Sequence, residues 1–347
     1  MISFFKEQQY LTLIEWPSYN KEEAQFLGMN LSTFSLKITK FLVEFNPISE
    51  NIAKGDLFSN IKSTFNFISR ENFILPIAII LNLINERSSN EDYVTKIAFD
   101  YFSKSSNLSF IKTQNILKEY SNKDLLVDTL LLLSSLCRKS QDVYPTINDL
   151  SISSDLKYML ENSDSIIKSR VCNLIGNMCR YSDYFYEELL KNNLVSPIIQ
   201  CCYDQDKNTR KFACFAIGNA AFINDRLYEH FRCCIPILVD LLEDVEDNTR
   251  ANSAGALGNF VRCSDLLCQD IILHKAHLAI LNLAEKEESP QTIKVALFAL
   301  GNFCNHNVIK CELEKVNFKA KIDQLKAKHK SESQLTELFE RIKKKLQ

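Results

Sequence analysis

The sequence predicts an all-α solenoid, in which helical repeats stack into a right-handed superhelix, and three observations support this prediction. A Gly-Asn pair recurs at Gly176, Gly218, Gly258 and Gly301, at intervals of about 40 residues, a period typical of solenoids built from two- or three-helix units. The residues around each pair follow a helical apolar pattern. The chain of 347 residues contains only seven glycines and seven prolines, which favours helices over β-rich folds.

The Gly-Asn pairs lie in a repeated phrase that we predict to be the third helix of each unit. It reads SRVCNLIGNMC at 169–179, TRKFACFAIGNAA at 209–221, TRANSAGALGNF at 249–260 and TIKVALFALGNFC at 292–304. Glycine costs about 1 kcal/mol of helix stability relative to alanine, so its recurrence suggests a packing reason. We predict that the four glycines let neighbouring repeats approach closely. This pattern is typical of armadillo and HEAT repeats.

Two shorter helices are predicted in the units built around each phrase. The first covers 182–190, 224–231 and 264–272, and each copy opens with Ser or Asn followed by Asp, which we expect to cap the helix. The second covers 195–202, 235–244 and 277–286. Further upstream, we predict two helices within 1–50, helix pairs at 55–87 and 91–120, and an apolar helix at 125–140.

The period suggests three parts along the chain. Residues 1–122 are predicted to be degenerate N-terminal helical repeats, because no Gly-Asn phrase occurs there. Residues 123–311 are predicted to hold about five armadillo repeats. Residues 312–347 contain more Lys and Arg than Asp and Glu, and we predict that they form basic capping helices over the last repeat. The alternative is a basic dock for an acidic surface such as a tubulin tail.

The composition indicates neither a nucleic-acid partner nor a membrane. The net charge is −2, which gives no overall attraction to polyanions. The longest apolar run, at 73–81, contains Pro76 and is too short to span a bilayer. The chain begins without the basic segment of a secretory signal, and its twelve cysteines lie mostly inside apolar helical patterns, so we expect reduced, buried thiols in the cytoplasm.

No motif in the sequence indicates catalysis, and we predict that the chain is not an enzyme and binds no cofactor or metal. Glycine-rich phosphate loops, H-E-x-x-H and G-x-S-x-G are all absent. His274 and His277 are three residues apart, but the sequence suggests no third metal ligand. The adjacent cysteines Cys201-Cys202 and Cys233-Cys234 lack the C-x2-C spacing of zinc sites.

Two rows of polar residues recur at the repeat period and are the candidate protein-binding groove. Amides both donate and accept hydrogen bonds, so the asparagines could bind an extended peptide backbone. The alternative is that each asparagine bonds the neighbouring repeat or a hinge carbonyl. For the arginines, the alternative is an ion pair with hinge acids such as Asp206 or Glu246. The candidates are Asn177, Asn219, Asn259, Asn302, Arg210 and Arg250.

The phrase resembles armadillo repeats generally, including those of importin-α and β-catenin. Importin-α pairs its groove asparagine with a tryptophan one turn earlier, and no tryptophan occurs at that position in any of these phrases. Residues 169–193, 208–231 and 248–272 are more similar to the C-terminal armadillo region of Fused-type serine/threonine kinases. This resemblance covers roughly residues 125 to 311 and does not include a kinase domain.

The resemblance implies a role in motile cilia, in assembly of the central-pair apparatus with kinesin-like partners. We therefore predict a non-catalytic scaffold of the cytoskeleton and ciliary axoneme, which binds axonemal proteins, a kinesin-like protein or tubulin. The alternatives are a soluble importin-like transport adaptor and a regulatory subunit of an enzyme.

Overall fold

The computed structural model describes Lys62 and residues 70–85, 93–330 and 332–346, and within these residues every regular element is a helix. The helices predicted within 1–50, and most of the helix predicted to begin at 55, lie outside the described residues. The chain divides into two compact units, Met1–Asp155 and Leu156–Gln347. The boundaries at 122 and 311 rest on the repeat period and stay a prediction.

The first unit contains short helices and one long apolar helix. The long helix α4 begins after Asn122, whose side chain accepts a hydrogen bond from the backbone N–H of Leu125 at 3.1 Å, and it packs against α1. Its leucines are buried, as the apolar sequence at 125–140 predicts. The helices of this unit are α1 (Ile74–Asn85), α2 (Tyr93–Phe102), α3 (Ser105–Thr113), α4 (Lys123–Lys139) and α5 (Tyr144–Asp149), and α6 (Ser153–Asn162) crosses the division.

The second unit repeats a set of three helices, which are two short ones followed by a longer one. The third helices are α7 (Ser165–Met178), α10 (Lys207–Ala220), α13 (Asp247–Asn259) and α16 (Pro290–Phe303). The others are α8 (Tyr186–Lys191), α9 (Val195–Gln200), α11 (Tyr228–Phe231), α12 (Ile235–Asp240), α14 (Cys268–Leu273), α15 (Ala276–Lys286), α17 (Asn307–Glu314), α18 (Phe318–Lys328) and α19 (Ser333–Lys345).

The first helices begin later than the sequence predicts. They start at Tyr186, Tyr228 and Cys268, and no side chain caps them, so the prediction that the preceding Asp residues act as N-caps is wrong. The carboxylate of Asp183 instead accepts hydrogen bonds from Asn224 Nδ2 at 3.0 Å and Arg226 Nη1 at 3.2 Å, both from the next repeat. A bond between repeats therefore takes the place of the expected cap.

The third helices lie side by side and form the spine of the second unit. Each of α7, α10, α13 and α16 packs against the next, and α16 packs against α19 in the same manner. Aspartates cap two of them: Asp164 accepts from the backbone N–H of Ile167 at 3.1 Å, and Asp206 accepts from that of Thr209 at 2.7 Å. These caps satisfy N–H groups that a helix start leaves without partners.

Three glycines of the phrase lie at contacts between third helices and Gly301 lies at the contact with α19, but the contacts differ in tightness. A Cβ on Gly176 would lie 2.5 Å from the ring of Phe215, and a Cβ on Gly258 would lie 2.7 Å from the Cα of Ala299. At Gly218 the nearest atom of the next repeat is 3.6 Å away, which is ordinary van der Waals contact, and at Gly301 the nearest atom is 3.7 Å away. The close approach therefore requires glycine at two of the four positions.

Candidate functional site

The asparagines that follow these glycines bond one third helix to the preceding one. In three of the four cases the side-chain Nδ2 donates to the backbone carbonyl of the glycine one repeat earlier. The bonds join Asn219 to Gly176 (2.8 Å), Asn259 to Gly218 (2.9 Å) and Asn302 to Gly258 (3.1 Å). Asn177, the first in the row, donates to the carbonyl of Asn173 within its own helix at 3.0 Å. The row therefore links successive repeats, as one of the two interpretations of the sequence expects.

Burial limits what these amides offer to a partner. Asn177, Asn259 and Asn302 are 3%, 8% and 1% exposed, whereas Asn219 is half-buried. A buried amide that is bonded to a carbonyl stabilises the stack by about 1 kcal/mol, and that N–H is not free for a ligand, while burial keeps a ligand from the second N–H. Binding of a partner peptide by this row stays a prediction, and Asn219 is the member placed best for it.

The arginine row also joins repeats, and it does so through the acids of the following hinge. Arg210 Nε donates to Asp244 Oδ2 at 2.6 Å, and Arg250 Nε donates to Glu287 Oε2 at 2.7 Å. The expected hinge partners Asp206 and Glu246 are therefore replaced by acids of the next repeat, because the third helix points its arginine along the stack. The Glu287 carboxylate is 6% exposed, and its bond to Arg250 lowers its pKa.

Beyond its first turn, each third helix has one side that is half-buried or exposed, and an exposed residue follows four places after the glycine of the phrase. Because the third helices pack side by side, these positions form one surface across the repeats. We call it the third-helix face. It contains asparagines, aromatic rings and cations, and no Asp or Glu. Its residues are Arg170, Asn173, Arg180, Lys211, Phe212, Phe215, Asn219, Phe222, Asn252, Gly255, Arg262, Lys294, Val295, Phe298 and Asn305.

Several cations of this face lie over aromatic rings. Lys211 Nζ is 4.7 Å from the ring centre of Phe212, and the guanidinium of Arg262 is 3.9 Å from that of Phe222. Arg262 also donates to the Phe222 carbonyl at 2.6 Å, which links two repeats. The sequence interpretation missed these residues. Lys211 and Phe212 lie about two turns before Gly218, and Phe222 and Arg262 lie four residues after Gly218 and Gly258, so the same period, applied to exposed and half-buried positions, could have identified them.

The end of the face is covered by α19. Arg341 Nη2 donates to Asn302 Oδ1 at 3.0 Å, and its guanidinium lies 5.1 Å from the ring centre of Phe298. Ile342 is buried and faces Gly301. The last helix thus occupies the place that a further third helix would take.

His277 is buried, its Nδ1 lies 3.4 Å from the carbonyl oxygen of Ile271, and burial lowers its pKa. Across 70–85, 93–330 and 332–346 no group of three or more His, Cys, Asp or Glu side chains is arranged to hold a metal. None of the helices in these ranges is both long and apolar enough to cross a bilayer.

Comparison with known proteins gives one sequence relative and many structural ones. No family model matches the chain. The serine/threonine-protein kinase TIO of Arabidopsis thaliana is 40% identical over 252 residues, which are 69% of this chain and 18% of that protein. The chain thus spans about a fifth of the relative's length. Kinase motifs such as the glycine-rich loop do not occur in the present sequence.

Two of the structural relatives are designed armadillo repeat proteins. A designed armadillo repeat protein in complex with the peptide (KR)4 superposes with a TM-score of 0.61 at 18% identity, covering 67% of this chain and 97% of that one. A computationally designed armadillo repeat protein for modular peptide recognition superposes with a TM-score of 0.58 at 20% identity, covering 67% and 96%. The chain therefore has the armadillo-repeat fold, and most of its length is similar to part of a Fused-type serine/threonine kinase outside the kinase domain.

Proposed function

We propose that this chain is a non-catalytic scaffold that holds an extended segment of a partner protein against the third-helix face. The observation that carries this proposal is that the face is built from equivalent positions of successive repeats, which together present asparagines, aromatic rings and cations. A surface of this kind binds through many modest contacts rather than one deep pocket. Peptide binding by designed proteins of the same fold supports the proposal.

We further propose that the scaffold works in the ciliary axoneme, where it takes part in assembly of the central-pair apparatus. Support comes from the similarity to a Fused-type kinase, together with the resemblance of residues 169–193, 208–231 and 248–272 to the armadillo region of that family. Axonemal proteins, a kinesin-like protein or tubulin are the partners in this proposal.

Detergent extraction of cilia tests the proposed location. The full chain is tagged and expressed in a ciliated cell, the cilia are isolated, and their membranes are dissolved. A structural component stays with the axonemal pellet, whereas a transport adaptor or an enzyme's regulatory subunit leaves with the soluble fraction. A soluble ciliary marker is the control for complete extraction. Release of the tagged chain together with this marker would contradict the axonemal role.

A further inference from the structure

The cations of the third-helix face differ from the arginines in the first turns of the same helices in what they contact. Those arginines pair with carboxylates, Arg210 with Asp244 and Arg250 with Glu287. Among the described residues, no ion pair joins a carboxylate to any cation of the face, which are Arg170, Arg180, Lys211, Arg262 and Lys294. The face therefore carries positive charge that the chain itself does not neutralise.

The positions of these cations are supported by their neighbours. Arg180 lies 5.6 Å from the ring centre of Tyr181, and Lys211 and Arg262 lie over phenylalanines. A cation over a ring loses less conformational freedom when it meets an anion, because its side chain is already held. The face has no carboxylate of its own to compete for them.

We propose that the occupant of the third-helix face is an extended peptide segment rich in Asp and Glu. This inference rests on the proposed scaffold function and gives it a ligand chemistry. Its carboxylates would pair with the unneutralised cations of successive repeats, and its backbone would meet the half-buried amides of Asn173, Asn219 and Asn252. A basic peptide such as the (KR)4 held by the designed relative would be repelled.

Binding of two short peptides to the full chain tests the proposal. Fluorescence anisotropy is measured with labelled (ED)4 and labelled (KR)4 at low ionic strength. We expect (ED)4 to bind and (KR)4 not to bind, and we expect the (ED)4 affinity to fall at high salt because these charges are exposed to screening. Equal binding of the two peptides, or stronger binding of (KR)4, overturns the proposal.

A charge-reversal variant assigns the binding to this face. Lys294→Glu combined with Arg180→Glu removes two exposed cations, and we expect the (ED)4 affinity to fall about tenfold or more. The matched control is Lys319→Glu on α18, an exposed cation outside the face, which we expect to leave the affinity nearly unchanged. Wild-type binding by the double variant contradicts the proposal. If the double variant does not fold, Lys294→Gln alone takes its place, with a smaller expected loss.

Three further outcomes distinguish the acidic ligand from a nucleic-acid ligand and from the proposed location. Tighter binding of a single-stranded uridine octanucleotide than of (ED)4 would assign the face to nucleic acid and overturn the peptide chemistry. If the chain remains with extracted axonemes but does not bind (ED)4, the acidic ligand is contradicted and the proposed scaffold function is not. Conversely, (ED)4 binding by a chain released from axonemes would support the ligand and contradict the location.

Discussion

Lys345 donates from its Nζ to the backbone carbonyl of Gly301 at 2.7 Å, and this bond continues the pattern of the asparagine row. In the preceding pair, Asn302 Nδ2 donates to Gly258 at 3.1 Å across a similar sequence separation. The last helix therefore extends the bonding scheme of the repeats with a different residue type. A lysine is suited to this end position because its stem covers apolar surface while its amine reaches the carbonyl.

Replacement of Lys345 tests whether this bond holds the last helix. Lys345→Met keeps most of the stem and removes the donor, so we expect the free energy of unfolding to fall by about 1 kcal/mol. Lys344→Met, at the neighbouring exposed position, is the control and is expected to change little. Urea denaturation followed by circular dichroism measures both. Equal midpoints for the two variants would show that the bond contributes nothing.

Alanine substitution separates the tight glycine contacts from the loose ones. A Cβ at position 258 would lie 2.5 Å from that of Ala299, so we expect Gly258→Ala to lower stability by about 2 kcal/mol. At Gly218 the nearest atom is 3.6 Å away, and Gly218→Ala is expected to be neutral or to raise stability by up to about 1 kcal/mol through helix propensity. Thermal melts compare the two, and a larger loss for Gly218→Ala would contradict the packing geometry.

We expect replacement of Arg250 to lower the free energy of unfolding more than replacement of an exposed arginine does. Arg250→Ala leaves the largely buried carboxylate of Glu287 without its cation, which should lower the free energy of unfolding by about 2–3 kcal/mol. The control is Arg226→Ala, whose ion pair with Asp183 is exposed on both sides and should contribute less than about 1 kcal/mol. Chemical denaturation at neutral pH measures the free energy of unfolding of both variants. Similar losses of stability would contradict the larger contribution expected of the buried ion pair.

The same ion pair makes stability depend on pH. The hydrogen bond from Arg250 lowers the pKa of Glu287 in the folded chain, so its contribution is present above the unfolded glutamate pKa of about 4.3 and is lost as pH falls through the folded value. We expect the gap in unfolding free energy between wild type and Glu287→Gln to be constant from about pH 7 to pH 5 and to shrink below about pH 4. A gap that stays constant at lower pH would contradict this assignment.

The cysteines should fall into two classes of reactivity. Cys233, Cys263 and Cys311 are exposed, whereas the others are buried. Burial raises the pKa of Cys179 to about 12 and that of Cys304 to about 11, which keeps these thiols protonated and slow to react. Brief alkylation of the folded protein, read by mass spectrometry, should label only the exposed class. Labelling of Cys179 at the rate of Cys263 would show that the core opens readily.

The sequence by itself determines the helical architecture of the second unit. Glycine and asparagine recur at a period of about 40 residues within helical apolar patterns. These two signals specify stacked three-helix repeats, and both can be read from the order of residues alone. The sequence does not determine where the first helices begin, because an aspartate such as Asp183 can either cap its own helix or bond the next repeat. Local propensity does not distinguish these two uses of one carboxylate.

Only the tertiary structure decided which partners the repeated residues meet. The carbonyl bonded by Asn259, the acid paired with Arg250, and the atoms that crowd Gly258 all come from a neighbouring repeat. Their distances depend on how closely adjacent helices stack, and this spacing varies from repeat to repeat while the phrase stays almost the same. For this physical reason the sequence identifies the rows, whereas only the stacked helices show which members are buried and which remain exposed to a partner.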